Sequence, residues 1–398
     1  MKLIKVAAGV LNQTPLAWKQ NAQRIIRSIQ QAKQNQVSVL CLPELCISGY
    51  GCEDAFYAPG VHATALRMLK QIVPETSGIA VCVGLPLMYA GGVFNTTCLV
   101  VDQKIVGFVA KQHLAGDGIH YEQRWFKAWP KSIQGEVEID DITYPLGDIL
   151  FDIGDIRVGF EICEDAWVGT RPGASHAERG ADIILNPSAS HFAFGKHNVR
   201  RRFVIEGSRA FNVAYVYANL VGNESGRAIF DGDALIASAG ELLACGQRLS
   251  FEEVMLTCCQ IDVDKNRMVR ARTGSFEPDL DGDESDIYSI DFEFPKLEAT
   301  TNHQESDNWQ SSDNLKCEEF TRAVSLGLWD YMLKSRSKGF IISLSGGADS
   351  TSAAVLVAAA FRLAANELGF DQLILRLTEA IHFENKPKDV SAVIAKLL

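Results

Sequence analysis

Three shortages narrow the reading first. No uninterrupted apolar run reaches the roughly 20 residues of a membrane-spanning helix, so no such span is expected. Ten cysteines are present, but none forms a Cys-x-x-Cys pair, and a zinc site is therefore not expected. Positive charge is scarce: 38 Lys and Arg stand against 49 Asp and Glu, for a net charge of −11. That balance argues against nucleic acid or an anionic membrane as the main partner. The opening residues turn polar at Asn12, so no secretory leader is expected. What is present is 47% hydrophobic residues in 398, ample for a core and more chain than one domain usually holds. Several cysteines sit in apolar runs, as in Val39-Leu40-Cys41-Leu42. Scattered cysteines in so long a chain imply a reducing compartment, with the cytoplasm as the expected location.

Buried strands are expected at Ile4–Val10, Val37–Leu42 and Ile79–Leu85. Between them, Ala22, Ile25, Ile26, Ile29 and Ala32 recur at helical spacing, and Ala65–Val73 also reads as helix. Phe94–Asp102 and Lys104–Val109 form a hairpin turning at Asp102-Gln103. Further strands are expected at Ile156–Ile162, Ile183–Leu185, Ala214–Ala218 and Ala234–Ala237. Strands alternating with helices, with a hairpin mixed in, indicate a layered α/β domain with mixed sheets. From Pro295 the chain becomes polar and aperiodic, and residues 291–314 read as a linker between units 1–290 and 315–398. Beyond it a helix is expected from Phe320 to Tyr331, a short buried strand over Gly339–Leu344 and an apolar helix over Thr351–Ala365.

Three local patterns carry chemistry. Leu42-Pro43-Glu44-Leu45 ends a strand, Lys111-Gln112-His113 follows the hairpin, and Gly159-Phe160-Glu161-Ile162-Cys163-Glu164-Asp165 runs from a strand into a helix. Amide cleavage through a thioester needs a thiol, a base in hydrogen-bonding reach and a cation for the oxyanion. Glu44, Lys111 and Cys163 supply these, the buried carboxylate as base and the lysine also favouring a thiolate. Each alone is commonplace, since a glutamate after a strand is usually a solvated turn residue. The three contexts together, in this order, are not.

By these motifs residues 1 to about 290 resemble the nitrilase, or carbon–nitrogen hydrolase, superfamily. That resemblance implies a four-layer αββα sandwich, a Glu44–Lys111–Cys163 triad, and Glu122 in His120-Tyr121-Glu122 as a second, positioning glutamate. The longer stretches LPELCISGYGCEDAFY, LAGDGIHYEQRWFKAW and GFEICEDAW look like the glutaminase part of glutamine-dependent NAD synthetases. From that likeness, Ser190 and Lys196 are expected to contact L-glutamine. Where many bacterial members carry a tyrosine this chain has Gly116-Asp117-Gly118, so the remaining contact is assigned to Asp117.

Ser345-Gly346-Gly347-Ala348-Asp349-Ser350 follows the expected strand and opens a helix, an arrangement in which backbone N–H groups face an anion. It lacks the Gly-Lys-Ser/Thr ending of a Walker loop and is similar to the SGGxDS loop of ATP pyrophosphatases. The second unit is therefore expected to be the start of a doubly wound ATP-pyrophosphatase domain, of the adenine nucleotide alpha hydrolase type. ATP and Mg2+ would be its cofactors, with Asp349 on the metal. Nicotinic acid adenine dinucleotide would be the substrate amidated, and a homo-oligomer is implied. With so few residues after the loop, that unit reads as truncated and unable to bury a core alone, and the chain by itself is not expected to make NAD. The alternatives are a stand-alone amidase on another small amide and a non-catalytic assembly subunit.

Overall fold

Alternation along the first strand sets the layers. The computed structural model describes residues 1–224, 226–279, 286–300 and 308–398. In it β1 (Leu3–Leu11) sends Ile4, Val6, Ala8 and Val10 into one apolar cluster and Ala7 and Leu11 into another. Both faces are apolar, so both need cover. Helix α1 (Trp18–Gln34) covers one face with the Ala22, Ile25, Ile29 and Ala32 stripe. The first half continues through β2 (Val39–Cys41), α2 (Pro59–Ile72), β3 (Ala80–Tyr89), β4 (Gly92–Val101) and β5 (Lys104–Ala110). After these come α3 (Glu122–Trp125), β6 (Gln134–Ile139) and β7 (Ile142–Gly147). Asp102 and Gln103 have φ of +43° and +66°, the left-handed pair that a tight hairpin between β4 and β5 requires.

The second half runs β8 (Leu150–Ile153), β9 (Ile156–Phe160), α4 (Pro172–Glu178), β10 (Ile183–Pro187), α5 (Lys196–Ala210) and β11 (Ala214–Ala218). It closes with β12 (Val221–Glu224), β13 (Ala228–Asp231), β14 (Ala234–Ser238), β15 (Glu241–Cys245), β16 (Val254–Asp262), α6 (Val263–Arg272) and β17 (Ile287–Ile290). One sheet is ordered β16-β1-β2-β3-β4-β5-β7-β6 and the other β15-β14-β11-β10-β9-β8-β17, while β12 and β13 form a separate ribbon. Val6, Val39 and Ala80 of the first sheet share a cluster with Val158, Leu185 and Val216 of the second. Outside the second sheet, Val204 of α5 packs on Tyr215 and Leu235. This is the αββα sandwich expected from the motifs.

Residues 291–300 take no regular structure but lie against the sandwich: Phe292 and Phe294 pack on the core, and Gln260 donates to the Glu298 carbonyl at 2.8 Å. Residues 301–307 of the expected linker lie outside the described residues. Trp309 stacks beside the guanidiniums of Arg248 and Arg322, at 5.3 and 4.8 Å from its ring centre.

The rest of the chain is helical: α7 (Leu315–Lys334), α8 (Ala348–Leu368), α9 (Phe370–Thr378) and α10 (Val390–Leu397). These helices join the inter-sheet core, with Ala323, Leu326, Trp329 and Met332 of α7 and Val357, Phe361 and Ala364 of α8 in the same cluster. A polar clamp secures α7. Asp330 accepts from Asn12 at 3.0 Å and from the Asn223 N–H at 2.7 Å, and the Lys334 ammonium donates to Asn12, Gln13 and Asn223. Trp329, 2% exposed, meets Phe251 and Phe361 with ring centres 6.2 and 6.1 Å apart. Trp329→Ala should cost about 3–5 kcal/mol in urea unfolding, because a large side chain leaves a cavity between helix and sandwich.

One sequence expectation fails here. Gly339–Leu344 is not a strand: no strand pairs with it, the Phe340 N–H donates to the Leu397 carbonyl at 2.7 Å, and Leu344 is 64% accessible. An apolar run becomes a strand only beside another strand, and among the described residues the C-terminal part offers helices alone. By length and composition alone α8 is apolar enough to cross a membrane, but it contains no unbroken apolar run of that length, and its Val357, Phe361 and Ala364 pack in the core.

Candidate active site

Glu44 sits where β2 turns over β3. Gly84 makes that turn possible, since a Cβ there would lie 2.3 Å from the Leu45 nitrogen. Lys111 follows β5, Glu122 opens α3, and Cys163 follows β9 with φ of +47°, a strained setting for a residue with a side chain. The structure brings these together. The Lys111 ammonium donates to Glu44 Oε1 at 2.6 Å and to Glu122 Oε1 at 2.8 Å, and all three are about 1% exposed. Glu122 Oε2 accepts the Ala115 N–H at 3.0 Å. Asn95 donates to Glu44 Oε1 at 2.7 Å, leaving buried Glu44 Oε2 without a hydrogen-bond partner among the described residues.

Burial dominates the electrostatics. It pushes the Glu44 carboxyl up to about 7, opposed by the Lys111 charge and assisted by Glu122. Burial would lower the Lys111 ammonium, but Glu122 and Glu44 hold it well above its ordinary value. The Cys163 thiol is raised by burial and by Glu44, against the pull of Lys111. The resting cysteine is therefore a thiol. Lys111 does favour the thiolate, as expected, but burial and Glu44 outweigh it while two carboxylates share the lysine.

Asp165 ties the lysine loop to the cysteine turn. Its Oδ1 accepts the N–H groups of Gln112 and His113 at 3.2 and 2.8 Å, while Oδ2 accepts that of Ile162 at 2.9 Å. Tyr50 donates to Glu122 Oε1 at 2.8 Å and lies 2.9 Å from His120 Nδ1; His120 Nε2 lies 2.8 Å from His191 Nδ1. Burial lowers both imidazoles, His120 to about 3 and His191 to about 4, so the pair is neutral. Lys196, opening α5, reaches His191 at 3.2 Å and sits over the Trp167 ring; burial lowers its ammonium to about 8. Ser190 is buried, accepting from Arg200 at 3.2 Å. Asp117 is exposed, near enough to Glu164 to help raise that carboxyl.

Asn95, Tyr50, His120 and His191 carry no role in the sequence reading. Asn95 had a signal: an amide inside the apolar strand β4. The others meet only through the fold. The ATP-like loop lies at the exposed start of α8, where Phe320, Gly347, Ala348 and Val355 line an open cavity of about 440 Å³.

Residues 5–271 match the sequence profile of carbon-nitrogen hydrolases. The chain belongs to the carbon-nitrogen hydrolase family. Within that family it is similar to glutamine-dependent NAD(+) synthetases. That of Bos taurus is 31% identical over 373 residues, covering 89% of this chain and 52% of the relative. A putative one from Schizosaccharomyces pombe is 29% identical over 369 residues, covering 89% and 53%. The solved glutamine-dependent NAD(+) synthetase from Cytophaga hutchinsonii superposes with a TM-score of 0.78 at 42% identity, covering 95% of this chain and 55% of that one. An amidase from Nesterenkonia sp., with a TM-score of 0.54 and 20% identity, shares the hydrolase fold over 66% of this chain. The chain spans about half the length of the curated relatives it matches.

Proposed function

We propose that the chain hydrolyses the side-chain amide of glutamine through a thioester on Cys163. The observation that carries this is the Lys111 ammonium buried between Glu44 and Glu122, close enough to Cys163 to act on its thiol. Glu44, through its free Oε2, takes the thiol proton as sulfur bonds to the amide carbon. The oxyanion so formed faces Lys111, which Glu122 holds in place. Collapse breaks the carbon–nitrogen bond, and the nitrogen leaves as ammonia with the proton from Glu44. Water then attacks the thioester with Glu44 as base, releasing glutamate and restoring the thiol.

Because Glu44 must be ionised to start, kcat/KM should rise with pH through about 7 and level off above it. A rate flat from pH 6 to 8 would contradict that role.

On this reading Lys196 meets the substrate's α-carboxylate, and Ser190 and Asp117 are assigned as its further substrate contacts. Lys196→Ala should raise the KM for glutamine at least about tenfold, because it removes binding shared by ground and transition states. Turnover of a short neutral amide should not change. Equal losses on both substrates would make Lys196 structural. In the parent, preference for a neutral amide over glutamine would favour a stand-alone amidase.

On the same reading, the ammonia serves an ATP-dependent amidation of nicotinic acid adenine dinucleotide, with Ser345–Ser350 holding phosphate of the substrate ATP. The loop fits phosphate: Gly346 has φ of +80° with nothing within 4 Å of a Cβ there, and it leads into the 21-residue helix α8. Asp349 would supply one oxygen to a magnesium ion that neutralises phosphate charge, with phosphate and water completing the shell.

A further inference from the structure

Outside the proposed catalytic cluster, one trio of side chains includes a buried carboxylate oxygen with no hydrogen-bond partner among the described residues. His197 lies in the first turn of α5, Asp233 precedes β14, and Cys245 ends β15. Antiparallel pairing sets Leu235 opposite Cys245, which brings the cysteine alongside Asp233. One nitrogen, oxygen or sulfur atom from each residue lies within 4.8 Å of the other two. His197 Nδ1 is 2.9 Å from Asp233 Oδ2, while Asp233 Oδ1 is buried with no hydrogen-bond partner among the described residues.

The charge around the trio is also unequal. Asp231, Asp233 and Glu319 face the guanidiniums of Arg200 and Arg248, three carboxylates against two cations. Arg200 holds Asp231 at 2.7 and 2.8 Å and reaches Asp233 only at 3.3 Å; Arg248 holds Glu319 at 2.9 Å. Asp233 is therefore the carboxylate least engaged by the two guanidiniums. A cation beside Asp233 would balance it, and Arg200 would keep Asp231 as its partner.

We propose that His197, Asp233 and Cys245 bind a thiophilic divalent cation of the zinc class. Tetrahedral zinc holds nitrogen and oxygen at about 2.0–2.2 Å and sulfur at about 2.3 Å, so its ligand atoms lie about 3.3–3.6 Å apart. The trio reaches that spacing with side-chain movements on the order of 1 Å, given its 4.8 Å limit. Three protein ligands leave the fourth position to water. Binding takes Cys245 as thiolate, and its proton passes to solvent. His197 follows Lys196 directly, so the ion would sit one residue from the proposed glutamine contact.

The test is a cobalt(II) titration of chelator-stripped protein, followed by absorption and by proton release. The expected result is one equivalent bound, with a thiolate-to-cobalt charge-transfer band, in both the parent chain and Cys163→Ala. Cys245→Ser should lose the band, and His197→Gln should weaken binding at least tenfold, each with an unchanged circular dichroism spectrum. No band in the parent at millimolar cobalt overturns the proposal. So does a band that survives Cys245→Ser, or one that disappears in Cys163→Ala.

Discussion

Cys163→Ala should lower glutamine turnover by about 10⁴-fold or more, because the covalent route disappears altogether. The neighbourhood gives no substitute: the flanking Glu164 and Asp165 are carboxylates, and Asp165 is occupied holding the Gln112, His113 and Ile162 N–H groups. The fold should tolerate the change well. Cys163 is 4% exposed but small, and alanine is a modest loss at that turn. Circular dichroism and the urea midpoint should therefore stay close to the parent while activity vanishes. A variant keeping a tenth of the parent rate would remove Cys163 from the chemistry.

Lys111→Met should act on both activity and stability. The ammonium is the shared partner of Glu44 and Glu122 at 2.6 and 2.8 Å, and none of the three is more than about 1% exposed. Without it two buried carboxylates face each other without a cation, a change of about 3–5 kcal/mol. Turnover should fall on the order of 10³-fold as the oxyanion loses its donor. The sign of the pH effect follows from the raised folded-state affinity for protons. Below the unfolded carboxyl pKa, about 4.3, Glu44 is protonated in either state and its penalty is absent. It appears as pH rises through the raised folded value of Glu44. The stability gap between parent and variant should thus be widest near pH 8 and narrow toward pH 5, measured by urea unfolding at each pH. A gap independent of pH would mean that lost packing, not stranded charge, is the cause.

The parts of this site legible in the sequence were those written locally. Glu44, Lys111 and Cys163 each end or follow a strand, and Glu122 opens the short helix after the lysine loop. Local motifs sufficed for them because neighbouring residues build each setting. The Tyr50, His120 and His191 chain was not legible, since those residues meet only once both sheets are packed. The same holds for the grouping of His197, Asp233 and Cys245, which come from three separate elements. Fold class was readable because period-two and helical patterns along β1 and α1 report burial directly. Gly339–Leu344 shows the limit of that reasoning: its apolar composition matches a buried strand, but strand formation depends on a partner elsewhere in the chain. The extended course of Phe292 and Phe294 against the sandwich was hidden for the complementary reason, since two aromatic anchors carry no period.

The central claim, that Cys163 is a nucleophile directed at glutamine, is tested most directly by mass spectrometry after exposure to an electrophilic glutamine analogue. One adduct per chain on Cys163 is expected, slowed by excess glutamine and absent in Glu44→Gln at matched times. No adduct on Cys163, or labelling spread over Cys317 and the other cysteines without protection by glutamine, would contradict it.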